Sequence, residues 1–390
     1  APDMTILAEH ITEGGIEDMA YQQEPDSVAW LVRADGVLAC MTFRREEQVV
    51  AWHRHIVGGR FGACTVTVSD YANIAVGTTL IFTKSNGEKV TFTSEAAGSS
   101  NPASATGFRP NTNNNTTADN IFTTINAHAD FTVANPSAAV VTITETVHGS
   151  SGFLSCASSD IVRLTTADEG IAVVETVTTI PGDLDEDQVW FIVKRTINGS
   201  TTRYIEYLSG FDFGNDVTNA FFVDCGLTYS GTAATSISGL NHLEGQTVSI
   251  LADGAAHADK VVASGAITLD RSVTKAQIGL QYSSKLETLR IDAGSAMGTS
   301  QGKNKRIGEV TVRLYRSVGL KVGTSSTQLD TVNFRSSADK MDKALSLFSG
   351  DKTVEFNGGY DDDATITIVQ DLPLPMTILA LFPTLSVFDK

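Results

Sequence analysis

The chain has 390 residues, 42% of them hydrophobic, and a formal net charge of −17. That acidity argues against a protein that wraps nucleic acid, since phosphate binding needs clustered Lys and Arg. It suits either plain solubility or a wall along which a polyanion slips without sticking. Thr, Ser, Val, Gly and Asn are abundant and long helix-forming runs are almost absent, so an all-β chain of two or three domains is expected.

Three hairpins stand out. Asp35-Gly36 joins residues 28–33 to 37–43, Asn86-Gly87 joins 79–83 to 89–93, and Asn198-Gly199 joins 189–194 to 203–208. Asn-Gly and Asp-Gly supply the positive φ angles that two-residue turns require. The first and third hairpins also carry a repeat: Asp26-Ser-Val-Ala-Trp-Leu-Val-Arg33 matches Asp187-Gln-Val-Trp-Phe-Ile-Val-Lys194 in character, 161 residues on. Both copies predict strands that are apolar on both faces.

Between the copies, residues 61–169 differ in composition and predict an inserted β-rich domain with one helix. A polar segment at 98–117, with Asn113-Asn114-Asn115, leads to an amphipathic helix over 117–128 that sets Ile121, Phe122 and Ile125 on one face. Strands at 131–134 and 140–145 follow. The flanking runs 49–55 and 172–177 are expected to pair with each other once the insertion is set aside. Without its 109 residues the repeat spacing falls to 52, near the ~40–50-residue period of propeller blades. Residues 1–60 and 170–240 therefore read as propeller-like segments. Two copies cannot close a propeller, and the chain opens Ala-Pro-Asp rather than on Met, so a fragment or processed product is expected.

Beyond about Gly239 the texture changes. Runs at 248–251, 261–262 and 267–269, with a turn at Asp253-Gly254, suggest a small barrel; longer strands follow at 310–315, 354–356, 365–369 and 377–382. Residues 241–390 read as a C-terminal β-barrel or sandwich domain. The most apolar run, 376–382, is short and bounded by Pro373, Pro375 and Pro383, so it predicts a buried strand and no membrane span. No charged-then-apolar signal peptide is present.

Chemistry is sparse. Cys40, Cys64, Cys156 and Cys225 lie far apart and read as buried thiols, in keeping with a reducing cytoplasm. His53 and His55, at i and i+2 on a strand, face one side and could share a metal, but no further ligand has matching spacing. Asp361-Asp362-Asp363 and Asp183-Leu184-Asp185-Glu186-Asp187 could attract calcium, yet neither matches an EF-hand and solvated turns are the simpler reading. Trp30, Trp52 and Trp190 could be sugar platforms, but each sits in an apolar strand that favours core packing. Lys303, Lys305 and Arg306 form the only basic cluster, read as a solvated turn or subunit contact before a DNA grip. No nucleophile elbow, phosphate loop or zinc-hydrolase signature is present, and no carboxylate pair of a glycan hydrolase stands out. The reading is a non-enzyme without catalytic, metal or cofactor sites.

Several motifs resemble a family of phage virion proteins: Ala8-Glu-His-Ile11, Met19-Ala-Tyr-Gln-Gln-Glu-Pro-Asp26, Val50-Ala-Trp-His-Arg-His55, residues 213–223, His242-Leu-Glu-Gly-Gln-Thr-Val-Ser-Ile-Leu-Ala-Asp-Gly254, Lys305-Arg-Ile307, Leu314-Tyr-Arg-Ser-Val-Gly-Leu-Lys-Val-Gly323 and Gln370-Asp-Leu-Pro-Leu-Pro-Met-Thr-Ile-Leu-Ala380. The family is that of tail nozzle, or tail tubular protein B-like, proteins of short-tailed phages (podoviruses). The 243–254 stretch also resembles the FCCH domain of ubiquitin-activating enzymes, a likeness of small barrels alone. The insertion resembles a mobile β-rich module of phage tail proteins.

The resemblance implies a longer parent preceding Ala1 and a homo-oligomeric, six-fold ring below a tail adaptor. Such a ring neighbours tail fibre or spike proteins and lines the channel through which genomic DNA passes without specific binding. The expected place is the virion tail, assembled in the host bacterial cytoplasm. A host-recognition or fibre-docking protein using 61–169, or a glycan-degrading tail enzyme, are the alternative readings.

Overall fold

The computed structural model describes residues 3–6, 8–12, 15–58, 63–84, 88–98, 104–137, 139–145, 155–169, 172–182, 186–197, 200–292, 294–295, 298–326, 328–340, 343–356 and 358–388. The predicted turns Asn86-Gly87 and Asn198-Gly199, the run Asp183-Leu184-Asp185, the middle of the polar segment at 99–103, and both junctions of the insertion at 59–62 and 170–171 lie outside them. The chain is predominantly β, with 55% strand and 8% helix. Among the described residues seven small antiparallel sheets and one mixed sheet form, and none closes into a barrel or propeller. The chain divides into two compact units, Ala1–Leu208 and Ser209–Lys390.

The first unit opens with a one-turn helix, α1 (Glu9–Thr12), and the meander β1 (Ile16–Gln22), β2 (Val28–Arg33), β3 (Leu38–Arg44) and β4 (Val49–His55). The Asp35-Gly36 turn differs from expectation. Gly36 alone has positive φ, 77°, and donates to the Arg33 carbonyl while Arg33 N–H donates to Val37. That is the three-residue hairpin, a type I turn closed by a left-handed glycine. A Cβ on Gly36 would lie 2.3 Å from Val173 Cγ1, so close approach as well as φ demands glycine.

The chain then runs through β5 (Ala63–Val68), β6 (Thr79–Thr83), β7 (Lys89–Ser94), β8 (Gly107–Phe108), α2 (Asn114–Asn126), β9 (Phe131–Ser137), β10 (Val140–Glu145), β11 (Ser155–Ser158) and β12 (Leu164–Glu169). These build two sheets, ordered β12-β5-β10-β9 and β11-β6-β7-β8, around a core drawn wholly from residues between Cys64 and Leu164. Phe82 packs 5.7 Å from Phe92 and 5.3 Å from Phe131, centroid to centroid.

Helix α2 starts earlier than its apolar pattern indicates, because Asn113 is its cap, accepting from Thr116 N–H at 2.8 Å. Ile121 and Ile125 are buried as predicted and Phe122 is partly so. Thr124 and Asn120 bond the carbonyls of Gly107 and Arg109.

A second meander follows: β13 (Val173–Pro181), β14 (Asp187–Ile197) and β15 (Ser200–Tyr207). The predicted pairing of 49–55 with 172–177 does not form. β4 bonds only β3, whereas β13 lies against β1: Asp18 accepts from the Thr176 hydroxyl and from Val177 N–H, and Thr179 donates to the Tyr21 carbonyl. Edge strands lie where buried faces bring them together, and the shared core sets β13 beside β1.

Val28, Val32, Leu38 and Cys40 of one meander share a core with Val174, Val177, Val189, Phe191 and Val193 of the other. The repeat thus places equivalent faces against each other. It extends to the preceding strands, each of which carries a one-residue slip, between Ile16 and Asp18 and between Val174 and Thr176.

In the second unit β16 (Asp224–Ser238) pairs along β19 (Ala266–Leu280), which continues to β17 (Thr247–Ala252) and β18 (Ala255–Val261). β16 lies in the stretch that composition assigned to the propeller-like segment 170–240. Its partner is in the C-terminal half, so 209–240 group with the second unit. Asp253-Gly254 is a true two-residue turn, with both φ positive at 46° and 79°. Ser264-Gly265 is its counterpart at 55° and 67°, clasped by the Glu244 carboxylate through both N–H groups.

β20 (Ser284–Glu287), β21 (Gly294–Ser295), β22 (Gly298–Thr299), β23 (Asn304–Ser317), β24 (Lys321–Ser325), β25 (Gln328–Thr331), β26 (Phe348–Glu355), β27 (Thr367–Gln370) and β28 (Ile378–Phe388) complete the chain. The sheets β20-β27-β24-β25 and β26-β23-β28 share a core of Ile307, Val310, Val312, Leu314, Val322, Ile366 and Ile368. The predicted barrel is replaced by open sheets. The apolar run 376–382 is a half-exposed edge strand, with Leu379 60% and Phe382 47% exposed, because alternation turns one side of β28 outward.

Phe191→Ala, in the core shared by the meanders, is expected to lower unfolding free energy by about 3–5 kcal/mol in denaturant titration. Thr196→Ala, at an exposed position of the same strand, should leave it within about 0.5 kcal/mol.

Candidate functional site

The acidic triplet and the basic cluster, far apart in sequence, meet. Lys305 and Asp361 exchange both backbone hydrogen bonds, each 2.8 Å. Lys305 is completely buried, and its Nζ donates to the Asp362 carbonyl at 3.2 Å. The Asp363 carboxylate pairs with Arg290, and Asp361 Oδ1 accepts from Asp363 N–H. Expectation of a solvated basic turn therefore fails at Lys305, which is withdrawn from any surface that could touch DNA. The aspartates form a turn fastened by the chain's own cations. No group of three His, Cys, Asp or Glu among the described residues is placed to hold a metal.

His53 and His55 do face one side of β4, opposite Cys40 and Leu38. The His53 ring stands edge-on to Trp30 at 6.3 Å. Desolvation, with the neighbouring His55 second, lowers its pKa. Asp187 is a tether between the meanders: its carboxylate accepts from the N–H groups of Gln23 and Glu24.

The cysteines are free thiols, buried at Cys40, Cys64 and Cys156 and half-buried at Cys225. Burial pushes the Cys40 thiol pKa well up, away from the thiolate that nucleophilic chemistry uses.

The tryptophans divide. Trp30 packs against the shared core with Nε1 on Gln22, and Trp52 packs under the N-terminal segment with Nε1 on the Met4 carbonyl. Trp190 departs from the core role expected of it. β14 alternates strictly, so Val189, Phe191 and Val193 point inward and Trp190 outward, its ring 5.0 Å from that of Tyr207 and tilted 36° to it.

Sequence reasoning passed over Arg195. Its side chain is 2% exposed, forms a two-pronged pair with Glu206, and donates from Nε to the Gly58 carbonyl at 3.1 Å. It thereby pins the end of the segment that leads into residues 61–169. Position 195 continues the inward series 189, 191, 193, but the run 189–193 is apolar on both faces and the sequence alone does not say which parity is inward.

Comparison with family models finds no match for this chain, and comparison with curated proteins finds none either.

Glu206→Gln would leave Arg195 buried without its counter-charge and is expected to cost about 3–5 kcal/mol in denaturant titration. The bonds from Thr176 and Val177 hold the Asp18 carboxyl below the usual carboxylate range. Its stabilisation is therefore complete above the unfolded value near ~4 and is lost as pH falls through the lower folded value. The melting-temperature advantage of the parent over Asp18→Asn should accordingly shrink as pH drops from about 5 to 3.

Proposed function

We propose that the chain is a passive structural part of a short-tailed phage tail, a nozzle subunit of the tail tubular protein B type. In this reading copies form a ring below the tail adaptor and line the channel through which DNA leaves, with fibre or spike proteins outside. The observation that carries it is the coincidence of motif and architecture: the phage-like motif at 19–26 spans the end of β1 and the connection to β2, that at 50–55 falls on β4, and this meander packs face to face on its repeat. Neighbouring propeller blades pack in this way, which supports the finer reading of two blades from a larger array.

The net charge of −17 suits a wall that must not hold DNA. Carboxylates such as Glu206, Glu175, Asp351 and Asp363 are engaged by the chain's own arginines. The virion tail, assembled in the bacterial cytoplasm, is the place this role implies.

One observation favours a second reading. The sheets of residues 63–169 enclose their own core, independent of the meanders that flank them. A self-contained module at that position suits a host-recognition or fibre-docking element.

Infection with a phage unable to make this chain is expected to give DNA-filled heads with tails that stop at the adaptor. Complete tails made without it would refute the proposal. Particles lacking only 61–169 should remain infectious; intact particles that no longer adsorb would favour the host-recognition reading.

A further inference from the structure

The sheet β13–β15 turns Val177, Val189, Phe191 and Val193 into the shared core and leaves its other face open. On that face Trp190 lies opposite Tyr207 and Ile192 opposite Ile205, with Ile205 73% and Tyr207 58% exposed. The repeat equates Trp190 and Ile192 with Ala29 and Leu31, which the chain covers with its own Ala8 and Ile11. The second meander thus presents uncovered a face that the first keeps buried. At one end of it Lys194 and Arg203 share the single carboxylate of Glu175, which leaves one positive charge in excess.

In the other unit, sheet β26-β23-β28 has an outer face of opposite charge. Phe382 lies opposite Thr311 beneath the Arg313 guanidinium, 5.0 Å from the ring centroid, and Tyr315 is 48% exposed. Arg313 is satisfied by Asp351. Beside them Glu309 and Glu355 stand directly opposite on neighbouring strands, both exposed, and no described cation pairs with either. Like charges so placed repel unless a partner supplies the counter-charge.

We propose that these two surfaces are the halves of one contact between successive copies of the chain. The Trp190–Tyr207 face of one copy covers the Phe382–Tyr315 face of the next, and Lys194 and Arg203 meet Glu309 and Glu355. Charge complementarity selects a second copy as the occupant, since the surplus cation on one surface answers the paired carboxylates on the other. Two different patches meet, so the contact is heterologous and propagates head to tail, closing into a ring when the rotation per subunit allows. The inference rests on the ring reading and names the surfaces that would build it.

Sedimentation velocity of the purified chain tests this with the variants Lys194→Glu/Arg203→Glu and Glu309→Lys/Glu355→Lys. The parent should self-associate, each double variant should lose association, and an equimolar mixture should regain assemblies as large as the parent's, in which the two variants alternate. Ile205→Glu, at a position too exposed to support the fold, should also abolish association. Assembly unaffected by these changes, or loss without recovery on mixing, overturns this contact and leaves the ring reading standing. A parent that stays monomeric at high concentration overturns both.

Discussion

The two meanders of the first unit depend on one hydrophobic contact, the burial of Val28, Val32, Leu38 and Cys40 of one against Val189, Phe191 and Val193 of its repeat. Neither meander could be stable alone, because a three- or four-stranded sheet needs one face covered. The polar ties cluster around that contact. Asp18 reaches Thr176 and Val177, Asp187 reaches Gln23 and Glu24, and Gly36 gives its carbonyl to Val174. The bonds to Val177 and Val174 satisfy backbone groups that burial would otherwise leave unpaired, whereas those from Gln23 and Glu24 lie at the exposed margin of the contact. The module of residues 63–169 enters and leaves beside this core, next to Val57 and Ala172, with Arg195 fastening Gly58 on the entry side. A self-contained core can be inserted there without disturbing the pairing around it.

The second unit solves the same problem with different parts. Two of its open sheets share a core through β23, β24 and β27, and β16 and β28 are among the edge strands of the unit. Edges invite pairing with other chains. β16 is interrupted by repeated register slips, and β28 carries Pro383, which has no N–H to donate. Both devices limit uncontrolled pairing at these two edges.

Much of the local structure was legible because it is written in short range. Asp-Gly and Asn-Gly signals between apolar runs located β2, β6, β7 and β14, and the repeat of 26–33 in 187–194 predicted two equivalent strands that do pack on each other. What local pattern could not supply was pairing. β13 was expected beside β4 and lies against β1, since the choice belongs to a face-to-face contact assembled from distant segments. Turn chemistry was half legible: Asp-Gly marks both 35–36 and 253–254, but only the second has two positive φ angles, and the flanking strands set the difference.

The candidate sites show the same division. Arg195 falls on an inward position that the packed core identifies, because the run before it is apolar on both faces. Lys305 could not be recognised as buried, because its cover comes from the aspartate turn that returns at 361–363. The outward turn of Trp190 follows from that same core, whereas its contact with Tyr207 needs the register of β15.

Cryo-electron microscopy of phage particles carrying this chain tests the central claim most directly. A six-fold ring of its density around the distal tail channel is the predicted result. Three-fold or peripheral density would contradict it and mark the chain as a spike or fibre component.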